Sequence, residues 1–467
     1  MNGKINTRIT LKALAIGALA LIMLIPLLFV SGVIDGRLNY RDEAAKKITN
    51  AWGGPLLVAA PVLNIPYKVQ ITDDRTKAVS YETRWLKVAP KEALSAADIK
   101  TQTRYIGIFR VPVYTADISI KGKFDIAGAI KGKENLSVSG AFITLELNDL
   151  KGMGVESPVL KWNGKAHEFE PMTNGKTLSA GVPTQRDLDS GSWDMNSSKG
   201  FYRNREISAD LKALSTAVNA KAASADFEIS FNIKGSRSIS FAPIAGKHTI
   251  AVKSDWTNPS FYGSFLPDEK NVDGAGFSAR WDIGNLASGI PTTDLSKADL
   301  SGVIITSAFL VPVDNYRSAE RALKYGILFI ILTFLACFIF EIASGRPIHP
   351  FQYLLVGFAM AIFYILLVSL SEFMAFSLAY IIAALATTGL ITAYIKTAVV
   401  KNLDRRSAGI VFGAFAALYG YLYILLLLQD MALIFGAIGL FIGLAAAMYA
   451  TKNIKWYEAI QAPAKKK

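Results

Sequence analysis

Six almost uninterrupted apolar runs mark the chain, each about 20 residues long, the length of helix that crosses a bilayer core. They are Ala13 to Ile34, Leu323 to Ile342, Phe351 to Leu370, Phe373 to Ile395, Ala408 to Leu428 and Met431 to Ala450. Between Pro350 and Lys396 the single formal charge is Glu372. A buried helix of a soluble protein usually keeps a polar face, so this pattern predicts transmembrane helices, one N-terminal and five C-terminal. The first run follows Lys4, Arg8 and Lys12 and ends at Val30-Ser31-Gly32-Val33-Ile34-Asp35, with no Ala-x-Ala-like cleavage site. It therefore reads as a retained anchor rather than a signal peptide. Leu38, Ala45, Ile48 and Trp52 continue it at helical spacing, and Trp52-Gly53-Gly54-Pro55 stops the helix.

Between the first two runs the period changes to two. Ala116 to Phe124, Phe227 to Gly235 and Ser238 to Phe241 alternate apolar and polar residues as half-buried strands do. Tyr105 to Tyr114, Ala141 to Leu147, Gly246 to Lys253, Phe277 to Ile283 and Val303 to Val311 are further strand candidates, and Asn163-Gly164 and Asn174-Gly175 are turn signals. Glu206 to Ala220 reads as a helix. The fold class expected is a mixed membrane protein, six helices with a large, mostly antiparallel β domain inserted between the first two. Its parts are residues 1–34, a tail and anchor; 35–322, the β-rich domain with helical stems; 323–450, a five-helix bundle; and 451–467, a basic tail. Phe109-Arg110-Val111-Pro112-Val113 and Phe309-Leu310-Val311-Pro312-Val313 echo one another. Two short phrases are weak grounds for a duplication.

Charge then orients the chain. The protein has 50 Lys and Arg against 37 Asp and Glu, a net +13. Such an excess can signal nucleic acid. Its distribution argues otherwise: 13 basic and 5 acidic residues fall outside residues 35–324. Basic residues in short loops stay on the cytoplasmic side. Arg346, Lys396, Lys401, Arg405, Arg406 and Lys452 lie in alternate connections or the tail, whereas Ser371-Glu372 and Gln429-Asp430 carry none. Both termini are thus expected in the cytoplasm and residues of about 35–322 in the periplasm. The expected partner is the lipid bilayer, to which Lys465, Lys466 and Lys467 add attraction for anionic lipid, with no nucleic acid.

Catalytic templates are absent from the sequence. It has no His-Glu-x-x-His, Cys-x-x-Cys, Gly-x-Ser-x-Gly or Ser-x-x-Lys, and Gly132-Lys133 is followed by Glu134 rather than by Ser or Thr. His167, His248 and His349 stand far apart, and the lone Cys337 lies in an apolar run. No cofactor, metal or catalytic residue is expected. Ionisable groups in membrane segments are costly and mark function. Glu372 with Ser369 and Ser371 is the sharpest such candidate, a solvated turn being the blander alternative. Glu341, near Arg346 and His349, marks the opposite interface and is expected to pair with Arg346. Tyr419, Tyr421 and Tyr423 read as an aromatic belt. Gly409 and Gly413, and Gly439 and Gly443, form small-residue stripes at a spacing of four that permit close helix packing, within the bundle or in a homo-oligomer.

Several phrases resemble the CreD family of bacterial inner-membrane proteins: Trp52-Gly53-Gly54 with Ala60-Pro61-Val62-Leu63 and Pro66-Tyr67; Gly107 to Tyr114; Val311 to Tyr316 through Lys324-Tyr325; His349 to Gly357; and Ser369-Leu370-Ser371-Glu372. Phe373 stands where the family pattern carries His, which weakens a Glu-His proton-handling role. The resemblance covers nearly the whole chain. It implies a part in envelope integrity and, in some bacteria, in the response to β-lactams, and it supplies no catalytic or binding residues. The reading is a non-enzymatic sensor or binding protein acting through its periplasmic domain on an envelope component or another envelope protein. The alternatives are a transporter or channel component using Glu372 and, behind it, a membrane enzyme.

Overall fold

The computed structural model describes residues 3–72, 79–133, 136–172, 179–182, 207–295, 298, 300–311, 315–344, 348–399, 405–428 and 431–452. The chain divides into two compact units, Met1–Asp42 with Val313–Lys467, and Glu43–Pro312. The Asn174-Gly175 turn and Asp430 lie outside the described residues.

In the first unit, helix Gly3–Ile22 breaks at Met23 and resumes as Leu24–Trp52. Pro26 accounts for the break, because its ring meets the carbonyl four residues back, that of Ile22, and it has no N–H to donate. The other helices are Asn315–Lys324, Gly326–Ser344, Pro350–Ser371, Phe376–Tyr394, Arg405–Leu427 and Ala432–Thr451. Among the described residues four helices are long and apolar enough to cross a membrane: Leu14–Trp52, Pro350–Ser371, Phe376–Thr397 and Ala408–Leu427. A fifth span results if Ser318–Lys324 and Gly326–Glu341, bent by 52°, act together, while Ile434–Ala446 is a shorter apolar helix. Six uniform spans are therefore more than the helices display. The expected run Leu323 to Ile342 straddles the bend, where a side chain on Gly326 would meet the Leu27 methyls and the Tyr364 hydroxyl.

The second unit is a two-layer β structure. One sheet orders Pro259–Gly263, Ile305–Phe309, Ser238–Ala242, Leu56–Ala59, Phe142–Leu147, Lys212–Ala217 and Glu170–Pro171, with the hairpin Val62–Thr72/Val79–Val88 branching from Phe142–Leu147. The other orders Glu269–Asp273, Gly276–Gly284, Lys247–Ser254, Glu92–Ile106, Phe109–Asp125, Ser224–Ser236, Val159–Trp162 and Lys165–Glu168. Most pairings are antiparallel, as expected. Leu56–Ala59 with Ser238–Ala242 and Glu92–Ile106 with Lys247–Ser254 are parallel, so both sheets are mixed.

Alternation decides what each strand buries. In Ser224–Ser236 the residues Ala225, Phe227, Ile229, Phe231 and Ile233 enter the core between the sheets, and the polar residues between them face out. Leu56–Ala59 is buried on both faces: Leu56 and Val58 join that core, while Leu57 and Ala59 join a second apolar cluster with Ile290, Leu295 and Leu300. The helix expected over Glu206 to Ala220 is absent. Ile207–Asp210 pairs with Ser179–Val182, and Lys212–Ala217 pairs with Phe142–Leu147 and Glu170–Pro171. Strand pairing and burial of Leu214 override the helical preference of the Ala, Leu and Lys residues. Phe109 to Val113 starts a strand of the eight-stranded sheet, whereas Phe309 ends strand Ile305–Phe309 of the other sheet and Pro312 and Val313 lie outside the described residues.

Candidate functional site

The polar groups of the helical unit define the candidate site. Helix Pro350–Ser371 is started by His349, whose Nδ1 accepts from the Phe351 N–H at 3.2 Å, while Gln352 Oε1 accepts from the His349 N–H at 2.8 Å. Pro at the first helical position fits this start, since its missing N–H would have no partner there. His349 is thus a capping residue. At the other end Ser371 is buried and donates to the Val368 carbonyl at 2.8 Å, while Ser369 is exposed. The Glu372 side chain, 8% exposed, lies 3.1 Å from Arg37 Nε. Burial in an ion pair replaces the solvated turn as the description of Glu372. Ser369 is not drawn in with it.

Glu341 pairs with Lys12 and accepts a hydrogen bond from the Tyr353 hydroxyl at 2.9 Å. Arg346, its expected partner, lies outside the described residues. The N-terminal helices thus hold one carboxylate at Lys12 and another at Arg37, on either side of the apolar run Ala13 to Ile34. From Lys12 to Arg37 an α-helix would rise about 37 Å, somewhat more than the roughly 30 Å hydrocarbon core. That spacing was available in the sequence as the signal for Lys12 and Arg37. Neither stood out as a site residue, because each looked like ordinary interfacial charge.

Between these pairs runs an aromatic and hydroxyl-bearing interior. Tyr419 is buried against Phe329 and Phe363, with ring centroids 4.7 and 4.8 Å away, and Tyr380 donates to the Tyr419 carbonyl at 2.7 Å. Tyr419 is therefore a core residue and not part of an interfacial belt. Tyr364 packs on Phe363 at 5.0 Å. The hydroxyls of Thr333, Tyr364 and Thr392 are buried and have no hydrogen-bond partner among the described residues. Each such group costs about 1–3 kcal/mol of lost hydration. Concentrated unpaired polarity of this kind inside an apolar bundle favours a functional role.

The glycine stripes differ from each other. Gly439 packs under Tyr421 and Gly443 against Leu332, so the last helix approaches closely there. Gly409 and Gly413 face open space. Among the described residues nothing packs against them.

In the β unit the potentially reactive groups are tied into structure. His248 is buried, with Nε2 2.9 Å from Ser95 Oγ, and burial pushes its pKa down to about 3. Asp282 is held below the usual carboxylate range first by Arg280, whose Nε donates at 2.9 Å, and then by the Thr249 hydroxyl. Lys87 is pushed down by burial, which the nearby Glu146 partly offsets. Trp52 donates to the Tyr114 carbonyl at 3.1 Å and lies between two cations, Arg104 at 4.7 Å and Lys234 at 4.9 Å from its ring. Among the described residues no group of three or more His, Cys, Asp or Glu could hold a metal ion.

Apolar helices of spanning length and a cored β unit within one chain define a membrane protein with a large non-membrane part. Comparison of the whole sequence goes further. The family model described as Inner membrane protein CreD matches residues 8–457. Inner membrane protein CreD of Escherichia coli (strain K12) is 30% identical over 448 residues, covering 94% of this chain and 91% of that protein. The chain belongs to the CreD family of inner membrane proteins.

Proposed function

We propose that the chain is a non-enzymatic protein of the bacterial cell envelope whose β unit lies in the periplasm and recognises an envelope component or another envelope protein. Six spans with both termini in the cytoplasm anchor it, and its setting is the envelope-stress or β-lactam response. The observation that carries this reading is the closed core of residues 43–312. A unit that buries its own two-sheet core leaves the polar outer face of the eight-stranded sheet for recognition, while Ser95 and His248, the pair that resembles a nucleophile and its base, are buried beyond the reach of substrate. In-frame removal of residues 55–306 should abolish an envelope-stress phenotype that Glu372→Ala leaves intact. Loss of the phenotype in both variants, or in neither, would count against recognition through the β unit.

The unpaired hydroxyls of the helical unit favour a second reading, a transporter or channel component. It requires Glu372→Gln to impair function in correctly inserted protein. The first reading predicts that this variant behaves as wild type.

A further inference from the structure

The outward face of the eight-stranded sheet carries a trough of about 430 Å³. Strand register builds it from two neighbouring rows. In one row Asp98, Lys253, Ser278 and Asn271 are successive cross-strand partners; in the next they are Ala96, Ala251, Arg280 and Glu269. All eight line the trough. Ala96, Ala251 and Ser278 supply a floor with little side-chain bulk that continues into Ser119, the partner of Ala96 on the next strand, while the outward positions around it are mostly Lys, Glu, Asp and Thr, with Leu94 among them. Long charged side chains stand around that floor. Lys253 and Arg280 occupy the middle strands and Asp98 and Glu269 the outer ones, with Lys270 beside Glu269 a third cation of the lining. With strands about 4.8 Å apart, each carboxylate sits one strand from a cation.

Asp98, Lys253 and Glu269 make no ion pair within 4.0 Å among the described residues, although Glu269 and Asp268 add to Asp282 in favouring the Arg280 cation. Arg280 is fixed by Asp282, through Nε at 2.9 Å and Nη2 at 3.3 Å, and Asp282 is itself held by the Thr249 hydroxyl. A guanidinium has five donors in a planar fork, so this tether orients Arg280 and leaves donors for a ligand.

We propose that the trough binds a short peptide with free termini. The ligand's carboxylate lies over Lys253 and Arg280, and its ammonium reaches Asp98 or Glu269. An extended residue advances about 3.5 Å, so a di- or tripeptide spans one to two inter-strand steps. The small floor admits its side chains. This deepens the recognition reading above and rests on it only for biological meaning, since the site itself is testable in isolation from any phenotype.

The test is ligand-observed NMR of the full chain in nanodiscs, with alanyl-alanine as probe and N-acetyl-alanyl-alanine amide as its uncharged counterpart. Saturable binding is expected, weakened at least tenfold by capping the peptide. Ala251→Leu, which fills the floor and keeps every charge, and Lys253→Glu should each weaken it at least tenfold, while Lys165→Glu, on the far edge strand of the same sheet, leaves it unchanged. Absence of saturable binding to the wild type overturns the site, as does equal binding of the capped peptide or wild-type affinity in Ala251→Leu and Lys253→Glu. Peptide binding that survives in a protein whose β unit proves dispensable for the envelope phenotype would overturn the recognition reading and leave the site standing.

Discussion

At the residue scale His248 makes the sharpest claim on stability. Its imidazole is buried as the neutral form, and burial depresses its pKa to about 3, against about 6.5 in the unfolded chain. Between those values the unfolded state binds a proton that the folded state refuses, so folding weakens as pH falls below 6.5 and goes on weakening towards 3. The loss is about 1.4 kcal/mol per pH unit. Above 6.5 this contribution is constant. Thermal unfolding of the wild type should therefore shift downward from pH 6 to pH 4 by more than that of His248→Gln, whose amide does not titrate in this range. Parallel pH profiles for the two proteins would refute the claim. Nothing in the sequence marked this histidine, since Lys247-His248-Thr249 alternates like any strand and only the partner strand Glu92–Ile106 shows that the position is internal. The Ser–His contact joins residues 153 positions apart, a separation that local pattern cannot bridge. Gly53 was legible as a helix stop, but its second role was not. At φ +139° its missing side chain leaves room for the Lys234 carbonyl.

At the element scale the N-terminal helices carry a charged contact on either side of the apolar run Ala13 to Ile34. Glu372 is nearly buried and Arg37 is half exposed. Removing the arginine should therefore cost less than the 3–5 kcal/mol typical of breaking a fully buried pair; we expect about 1–2 kcal/mol. Arg37→Glu sets two carboxylates against each other and should lower the melting temperature of the detergent-solubilised protein, and adding Glu372→Arg should restore most of the loss. A double variant no more stable than the single one would show that the contact contributes nothing. The helical elements were readable because a bilayer demands long apolar runs, and the strands Ser224–Ser236 and Phe109–Asp125 because each buries one face. Lys212–Ala217 was misread, for its Ala and Leu content matches a helix and the Phe142–Leu147 partner lies over sixty residues away. The hairpin Val62–Thr72/Val79–Val88 was missed as a strand pair. Its outer half is exposed on both faces, so Tyr81 and Trp85 give no alternation to read.

At the scale of the whole molecule the ion pairs bear on the number of crossings. Lys12 and Arg37 flank the apolar run Ala13 to Ile34; if that run crosses, Glu341 and Glu372, each tied to one of them, belong to opposite sides. Glu341 ends the bent pair Ser318–Lys324 and Gly326–Glu341, whereas Glu372 follows Pro350–Ser371. That arrangement fits the count in which the bent pair acts as one span, five by Leu427, rather than four. The last helix, Ala432–Thr451, would rise about 30 Å at 1.5 Å per residue, enough for a sixth. Gly443 packs on Leu332 of helix Gly326–Ser344 and Gly439 on Tyr421 of helix Arg405–Leu427, so this helix lies against two others of the unit. Reporter fusions separate the two questions. An enzyme active only outside the cytoplasm should work when fused near Gly200. Silence near Lys401 follows if the bent pair crosses, whereas four spans would put that loop on the same side as Gly200. Silence at Lys467 then follows if the last helix crosses as well, and activity there would leave the protein with five spans and its C-terminus outside.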